Sequence, residues 1–191
     1  MNLNRLESDQ FLRLLSRLLF RANEDLNLVD NLKSPRRLLL LDADLKLQLR
    51  DHLLAHPELI DAYLDKNSSQ MSPGDVETIA AWRKYFLKDR FYIVRHLKKH
   101  SIFLHGGDDP LAYGVLAPAL PTPEVIGPTL PRLVEAVLLP FKGRIVYDGL
   151  LRSWGIDYGP FPSWNHHNAP LRGREASGGR DPPGVLEDDA R

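Results

Sequence analysis

The chain has 191 residues, of which 43% are hydrophobic, and its 25 basic residues balance its 25 acidic ones. This length and composition suffice for one hydrophobic core of ordinary size. The balanced charge excludes a strong overall field for nucleic acid or anionic membranes, but it is compatible with a local basic patch. Because there is no cysteine, disulfides, thiol catalysis and thiolate metal sites are excluded as well.

The N-terminal segment is not typical of a signal peptide, because Arg13, Arg17 and Arg21 interrupt its apolar run. No apolar stretch of the sequence approaches the roughly 20 residues that span a bilayer. We therefore expect a cytoplasmic protein without a membrane partner. The three arginines are spaced four residues apart, so a helix would place them on one face, either as a solvated face or as an anion-binding stripe.

Helices are predicted throughout the N-terminal half. Apolar residues recur at helical spacing from Phe11 onwards, with Ser8 or Asp9 as the cap. Two Ser-Pro pairs, at residues 34–35 and 72–73, are typical of a serine cap followed by proline in the first turn. The predicted helices cover residues 8–28, 36–55 (as one helix, or as two with a break near Asp42–Asp44), 57–66 and 72–88.

The pattern changes at Arg90, after which aromatic and β-branched residues become frequent. Lys142-Gly143 and Asp148-Gly149 indicate turns on either side of a short strand. The segment PRLVEAVLL, residues 131–139, is predicted to be a helix that proline begins and Pro140 ends. The predicted strands cover residues 91–97, 100–105, 112–117 and Arg144–Tyr147.

These elements predict an α+β fold in a single domain. Its helical half, residues 1–89, is expected to pack on a small, mostly antiparallel sheet of three to four strands within residues 90–160. Residues 161–191 are rich in Gly, Pro, Arg, Asp and Asn and carry few large apolar groups. Such a composition buries too little surface to offset the entropy lost on ordering, so these residues are predicted to form a disordered tail.

Three segments, FYIVRHLKKHSIFL, YGVLAP and LPRLVEAVLLPFKGRIVYDGLL, resemble an uncharacterised family of bacterial proteins. The resemblance covers about residues 45 to 158 and includes HPELID and the helix around Trp82. It implies a shared fold unit and a bacterial source, since no activity is established for that family. Its members usually continue after YDGLL with a glycine-rich turn and an amphipathic helix, whereas here WGIDYG leads into the polar tail.

The segment RHLKKH, residues 95–100, resembles the Arg-polar-x-x-x-His motif of HEPN-type ribonucleases, in which a helix carries both residues. Histidine suits proton transfer and arginine suits phosphate binding. The resemblance implies a metal-independent ribonuclease, or another hydrolase, that uses Arg95 and His100, with His96 as a further candidate. The flanking residues are strand-like, however, and they favour a turn at Lys98-Lys99 between two strands.

Basic and aromatic side chains are interleaved between residues 83 and 99. Clustered cations bind phosphates and exposed aromatic rings stack on bases, so this region is a candidate surface for nucleic acid or a protein partner. Alternatively, the aromatic residues belong to the core and the cations form a solvated face. The basic residues are Arg83, Lys84, Lys88, Arg90, Arg95, Lys98 and Lys99, and the aromatic residues are Tyr85, Phe86, Phe91 and Tyr92.

Other polar residues have weaker patterns. Asp148 is a catalytic candidate because it follows a strand, although aspartate before glycine commonly forms a turn. Glu135 would either pair with Arg144 or Lys142 or lie on the solvated face of the predicted helix. His166-His167 has no fixed third ligand nearby, so no metal site is predicted, and no glycine loop of the phosphate-binding kind indicates a cofactor.

Two functions from different classes remain. The first is a non-enzymatic intracellular interaction protein that binds a protein or nucleic acid through residues 83–99. It is preferred because every candidate catalytic residue also has a simpler structural explanation. The second is the ribonuclease or hydrolase that uses Arg95 and His100. A helix through residues 91–100 would favour the second function, and a pair of strands would favour the first.

Overall fold

The computed structural model describes residues 2–106 and 110–153. The predicted tail, the WGIDYG segment and His166-His167 lie outside the described residues. Two short 3-10 segments, Pro35–Leu40 and Ser68–Gln70, accompany the regular elements. Within the described ranges these elements are α1 (Arg5–Leu26), α2 (Ala43–Ala55), α3 (Glu58–Asn67), α4 (Pro73–Tyr85), β1 (Leu87–His96), β2 (Ser101–His105), β3 (Leu111–Leu116), α5 (Thr122–Ile126), β4 (Arg132–Phe141), β5 (Arg144–Tyr147) and β6 (Arg152–Ser153).

The N-terminal helices form largely where the sequence predicts them. α1 begins one turn before the predicted cap, because the Asn4 side chain accepts from the Glu7 amide while the Glu7 carboxylate accepts from the Asn4 amide. Of the two alternatives for residues 36–55, the structure supports the one with a break near Asp42–Asp44, since a 3-10 segment ends at Leu40 and α2 begins at Ala43. Ser72 caps α4 as expected by accepting from the Asp75 amide.

The sheet is larger than the three to four strands predicted from the sequence. Its strands follow the order β1-β2-β3-β5-β4, and β4 pairs back onto β1, so five strands close into a barrel. β3 and β5 are parallel, and the other pairs are antiparallel. β6 adds a short pairing to β4 at Val134 and Glu135. The α+β class is therefore confirmed, but the strand count was wrong.

The missing strand is β4, which occupies the segment that was predicted to be a helix. The helical prediction was wrong because LVEAVLL is apolar on both faces, a pattern that suits a buried strand as well as a buried helix. In the structure Val134, Ala136 and Leu138 point into the barrel, while Val137 and Leu139 point toward the helices. Pairing with both β1 and β5 satisfies the backbone of the strand.

Two hydrophobic cores meet across β4 and β5. The first fills the barrel and includes Phe91, Phe103 and Tyr147. The second lies between the outer surface of β4 and β5 and the helices α1 to α4. Trp82 belongs to this second core, and its indole N–H donates to the Pro140 carbonyl over 2.8 Å, while Phe11 packs edge-on against its ring. The helices therefore cover one side of the barrel.

The opposite side of the barrel is formed by β1, β2 and β3. Among the described residues, the outward-facing Tyr92, Ile102 and Leu104 of these strands belong to neither core. None of the described helices is both long and apolar enough to cross a membrane. The fold thus presents one helix-covered side and one side on which strands β1 to β3 form the outer surface.

Candidate functional site

The hairpin of β1 and β2 contains the residues of the ribonuclease-like motif. β1 extends to His96, β2 begins at Ser101, and the Leu97 amide donates to the His100 carbonyl over 2.8 Å to close the turn. Lys98 and Lys99 are exposed at this turn. The pair of strands and the turn expected from the flanking residues are confirmed, so the helix that the ribonuclease motif requires does not form here.

A β-bulge in β1 determines how its last residues face. Ile93 pairs with Phe103 and points into the barrel, and the register then shifts so that Arg95 pairs with Ile102. Arg95 is therefore exposed on the outer surface, on the same side as Ile102. Arg90 and Tyr92 alternate with buried residues of β1 and face outward too. We call this area, Arg90, Tyr92, Arg95, Ile102 and Leu104, the outer β1–β3 surface.

The remaining basic residues of the region lie elsewhere. Arg83, on α4, forms a two-oxygen contact with Asp61 at 3.1 Å. Lys84 lies 4.9 Å from the ring centre of the neighbouring Tyr85. Lys88, at the start of β1, contacts a carboxylate of the helical layer. The structure therefore brings together Arg90, Arg95, Lys98 and Lys99 on the barrel and separates them from the other three cations.

The candidate histidines are not arranged as an acid–base pair. His96 faces inward, where its Nδ1 lies 2.8 Å from Ser101 Oγ, and its buried Nε2 has no partner in the described part of the chain. Burial lowers the pKa of His96. Burial and the nearby Lys99 charge lower the pKa of His100 as well. Arg95 faces solvent, so the structure does not bring it together with His96.

A second cluster of charges was not foreseen from the sequence. Arg50 of α2 is only 2% exposed, and its guanidinium lies 2.9 Å from Glu135 and 2.8 Å from Asp51. The same group lies 3.4 Å from Asp148. Lys88 and Arg152 complete the group by contacting Asp51 and Glu135. We call these six residues, three acids and three bases, the Arg50 cluster.

Asp148 is the most deeply buried carboxylate of the Arg50 cluster. Burial raises its pKa to about 6, although the Arg50 charge acts in the opposite direction. One carboxylate oxygen accepts from the Leu150 amide over 3.1 Å, and Gly149 adopts a φ of 85°, so the predicted Asp-Gly turn is confirmed. The side chain thus joins the turn after β5 to helix α2. It is only 2% exposed and faces Arg50.

The interpretation of Glu135 from the sequence was wrong in both of its forms. Glu135 lies on a strand, and its partners are Arg50, Lys88 and Arg152. Arg144 instead pairs with Glu7 of α1. A signal for Arg50 existed in the sequence, because this arginine stands at helical spacing among leucines that the helix buries. Its partners are 85 and 98 residues away, and only the fold brings them close.

No group of three or more histidine or carboxylate residues suited to a metal ion occurs in the ranges that the structure describes. No protein-family model, curated protein or solved structure matches this chain.

Proposed function

We propose that this protein binds single-stranded nucleic acid on the outer β1–β3 surface and does not catalyse a reaction on it. The observation that carries the proposal is the β-bulge, which turns Arg95 outward beside the β1–β2 turn with Lys98 and Lys99. None of these three cations forms an ion pair with a described residue. Unpaired exposed cations in one area suit contacts with phosphates.

The shape of the surface supports a flat, stacked ligand. Small residues lie opposite the larger ones of β2, since Ile102 pairs with Gly114 and Leu104 with Ala112. The small side chains of β3 leave room for bases to lie against the strands, beside the half-buried Tyr92. By analogy of architecture alone, small five-stranded barrels of the OB type bind oligonucleotides on strands 2 and 3 and on the loop between strands 1 and 2.

The absence of catalysis is proposed from the arrangement of the motif residues. The hairpin turns Arg95 and His96 to opposite sides of β1, and it places His100 next to the turn rather than on a helix with Arg95. A ribonuclease that uses Arg95 and His100 is kept as the alternative. An intracellular location, in the cytoplasm, belongs to the same proposal, as does the predicted bacterial source.

The proposal is tested by measuring the binding of labelled single-stranded RNA and DNA across a salt series. Three phosphate contacts, from Arg95, Lys98 and Lys99, predict a slope of log affinity against log salt of about −2. The triple variant Arg95→Gln, Lys98→Gln, Lys99→Gln is expected to reduce that slope to near zero. The matched control changes Arg83 and Lys84 on α4 to Gln and is expected to leave the slope unchanged.

Absent or salt-insensitive binding would contradict the nucleic-acid proposal. A cleavage assay with the same RNA separates the two functions. If the protein cleaves RNA and His100→Ala removes the cleavage, the protein is a ribonuclease and the non-enzymatic proposal is wrong. If cleavage persists in His100→Ala, the activity does not come from this motif.

A further inference from the structure

The arginine stripe of α1 borders a groove that the nucleic-acid proposal does not use. The groove lies between α1, the 3-10 segment Pro35–Leu40 and the start of α4, and its volume is about 880 Å³. Arg13 and Arg17 line it from α1, and Arg36 lines it from the 3-10 segment. A volume in this range is sufficient for a small organic ligand. The third arginine of the stripe, Arg21, is not among its lining residues.

The charges in the groove are only partly compensated. Arg13 lies 2.9 Å from Asp75, which also accepts a hydrogen bond from Gln10, so this carboxylate already has partners. Burial alone would raise the pKa of Asp75, but these partners hold it below its usual value. Within the described ranges, Arg17 and Arg36 form no ion pair. The other carboxylate in the lining is Asp9. Three arginines against two aspartates leave one net positive charge, located with Arg17 and Arg36.

Ser16 adds a hydroxyl to the groove beside these charges. It lines the groove between Arg13 and Arg17, and its hydroxyl makes no hydrogen bond to a described residue. A hydroxyl can donate one hydrogen bond and accept others, so it is available to a water or to a ligand atom. An oxygen of a bound anion would accept from Ser16 and from the neighbouring Arg17 together.

The groove also has an apolar part. Leu12 and Pro35 line it, and Leu6 at its rim is 82% exposed. A smaller groove of about 300 Å³ adjoins it, because both are lined by Arg17 and Pro35. A ligand that fits this surface carries an anionic group for the arginines and a hydrophobic body for Leu12 and Pro35.

We propose that this groove binds a small soluble organic phosphate. The phosphate group contacts Arg17, Arg36 and Ser16, because guanidinium groups pair with phosphate oxygens through parallel hydrogen bonds. The organic part lies against Leu12 and Pro35. The site is separate from the outer β1–β3 surface, so each proposal can fail without the other.

Titration with phenyl phosphate, followed by calorimetry or by backbone amide shifts, tests this site. Phenyl phosphate is expected to bind saturably and more tightly than either inorganic phosphate or phenol alone. Arg17→Gln and Arg36→Gln are each expected to weaken binding about tenfold, and Ser16→Ala about threefold. Arg17→Lys keeps the charge but not the fork of donors, so it is expected to retain part of the affinity.

The matched control is Arg21→Gln, since Arg21 belongs to the same stripe but pairs with Glu24 outside the groove. It is expected to bind phenyl phosphate as the unchanged protein does, and so is Lys98→Gln on the barrel. The thermal unfolding midpoint of each variant shows whether it is folded. The proposal is overturned if binding is absent, if Arg21→Gln weakens it as much as Arg17→Gln, or if only vesicles containing phosphatidic acid bind.

Discussion

Both sides of the barrel carry arginines, but the arginine is buried among carboxylates on one side and exposed to solvent on the other. On the helix-covered side, Arg50 lies within 3.4 Å of three carboxylates and is almost completely buried. On the outer β1–β3 surface, Arg95 is exposed and forms no ion pair with a described residue. Burying a charge is costly unless partners and hydrogen bonds compensate it, whereas a solvated cation needs no partner. The covered side therefore holds its charges in close pairs, whereas Arg95 on the outer β1–β3 surface is left to solvent.

The largest difference between the two sides is expected for arginine removal. Arg50→Met leaves Asp148 and Glu135 without their main partner in a buried environment, and it is expected to lower the free energy of unfolding by about 3–5 kcal/mol. Arg95→Met on the outer β1–β3 surface removes an exposed cation without an ion pair to a described residue, and it is expected to change the free energy of unfolding by less than about 0.5 kcal/mol. Urea unfolding measures both variants. If both variants lose the same free energy of unfolding, the buried ion pairs of the Arg50 cluster do not stabilise the fold more than an exposed arginine does.

A pH series with Asp148→Asn examines the same cluster. Because burial raises the pKa of Asp148 to about 6 in the folded protein, the folded state binds the proton more tightly than the unfolded chain does. Stability due to this group is therefore highest below its unfolded pKa and falls as the pH rises through about 6. Asn cannot ionise, so the variant lacks this fall.

Between pH 4 and pH 7.5, the free energy of unfolding of Asp148→Asn is expected to rise by about 2 kcal/mol relative to that of the unchanged protein. This figure follows from a pKa shift of this size. The Leu150 amide keeps an acceptor in the variant, which preserves the turn. Unfolding free energies measured at both pH values provide the test, with Asp61→Asn on the surface as the control. A constant difference between Asp148→Asn and the unchanged protein would show that Asp148 does not titrate in this range.

A matched pair of valines compares the packing of the two sides. Val137 is 1% exposed beneath the helices, whereas Val94 is half-buried at the bulge of β1. Val137→Ala is expected to lower the free energy of unfolding by about 2 kcal/mol, and Val94→Ala by about 0.5 kcal/mol. If both substitutions lower the free energy of unfolding equally, Val94 on the outer side of β1 is packed as tightly as Val137 beneath the helices. Thermal or urea unfolding distinguishes these outcomes.

The smallest effect on stability is expected for the turn lysines. Lys98→Gln with Lys99→Gln removes two exposed charges and is expected to change the free energy of unfolding by less than about 0.5 kcal/mol. The same double variant is expected to make the salt slope of RNA binding shallower by about 1.4. A large loss of stability without a change in slope would assign these lysines a structural role. Binding and unfolding are therefore measured on the same preparation.

The helical half was predictable because its signals are local. Ser72-Pro73 begins α4 as expected, and the apolar spacing around Phe11 places α1 to within a turn. The exact start of α1 depended on the reciprocal bonds of Asn4 and Glu7, which compete with the Ser8 or Asp9 cap. Such competition between neighbouring caps is decided by small differences in local hydrogen bonding.

The candidate sites were only partly predictable. The basic residues near the β1–β2 turn were identified, but their separation from Arg83 and Lys88 depends on the bulge and on partners from α2 and α3. Arg50 was missed as a site residue because its contacts join α2 to β4 and to the turn after β5. From the sequence, Glu135 was expected either to pair with Arg144 or Lys142 or to lie on the solvated face of a helix. Strand direction instead brings Arg144 to Glu7.

The sequence by itself determined the α+β class, the helices of the first half, the β1–β2 hairpin and the turn at Asp148-Gly149. These features follow from capping, periodicity and turn residues, whose energies act between neighbours along the chain. Only the tertiary structure decided that residues 132–141 form a strand, because pairing with β1 and β5 closes the barrel there. It also decided which cations are buried in pairs and which face solvent, since the cost of burying a charge depends on every residue that surrounds it.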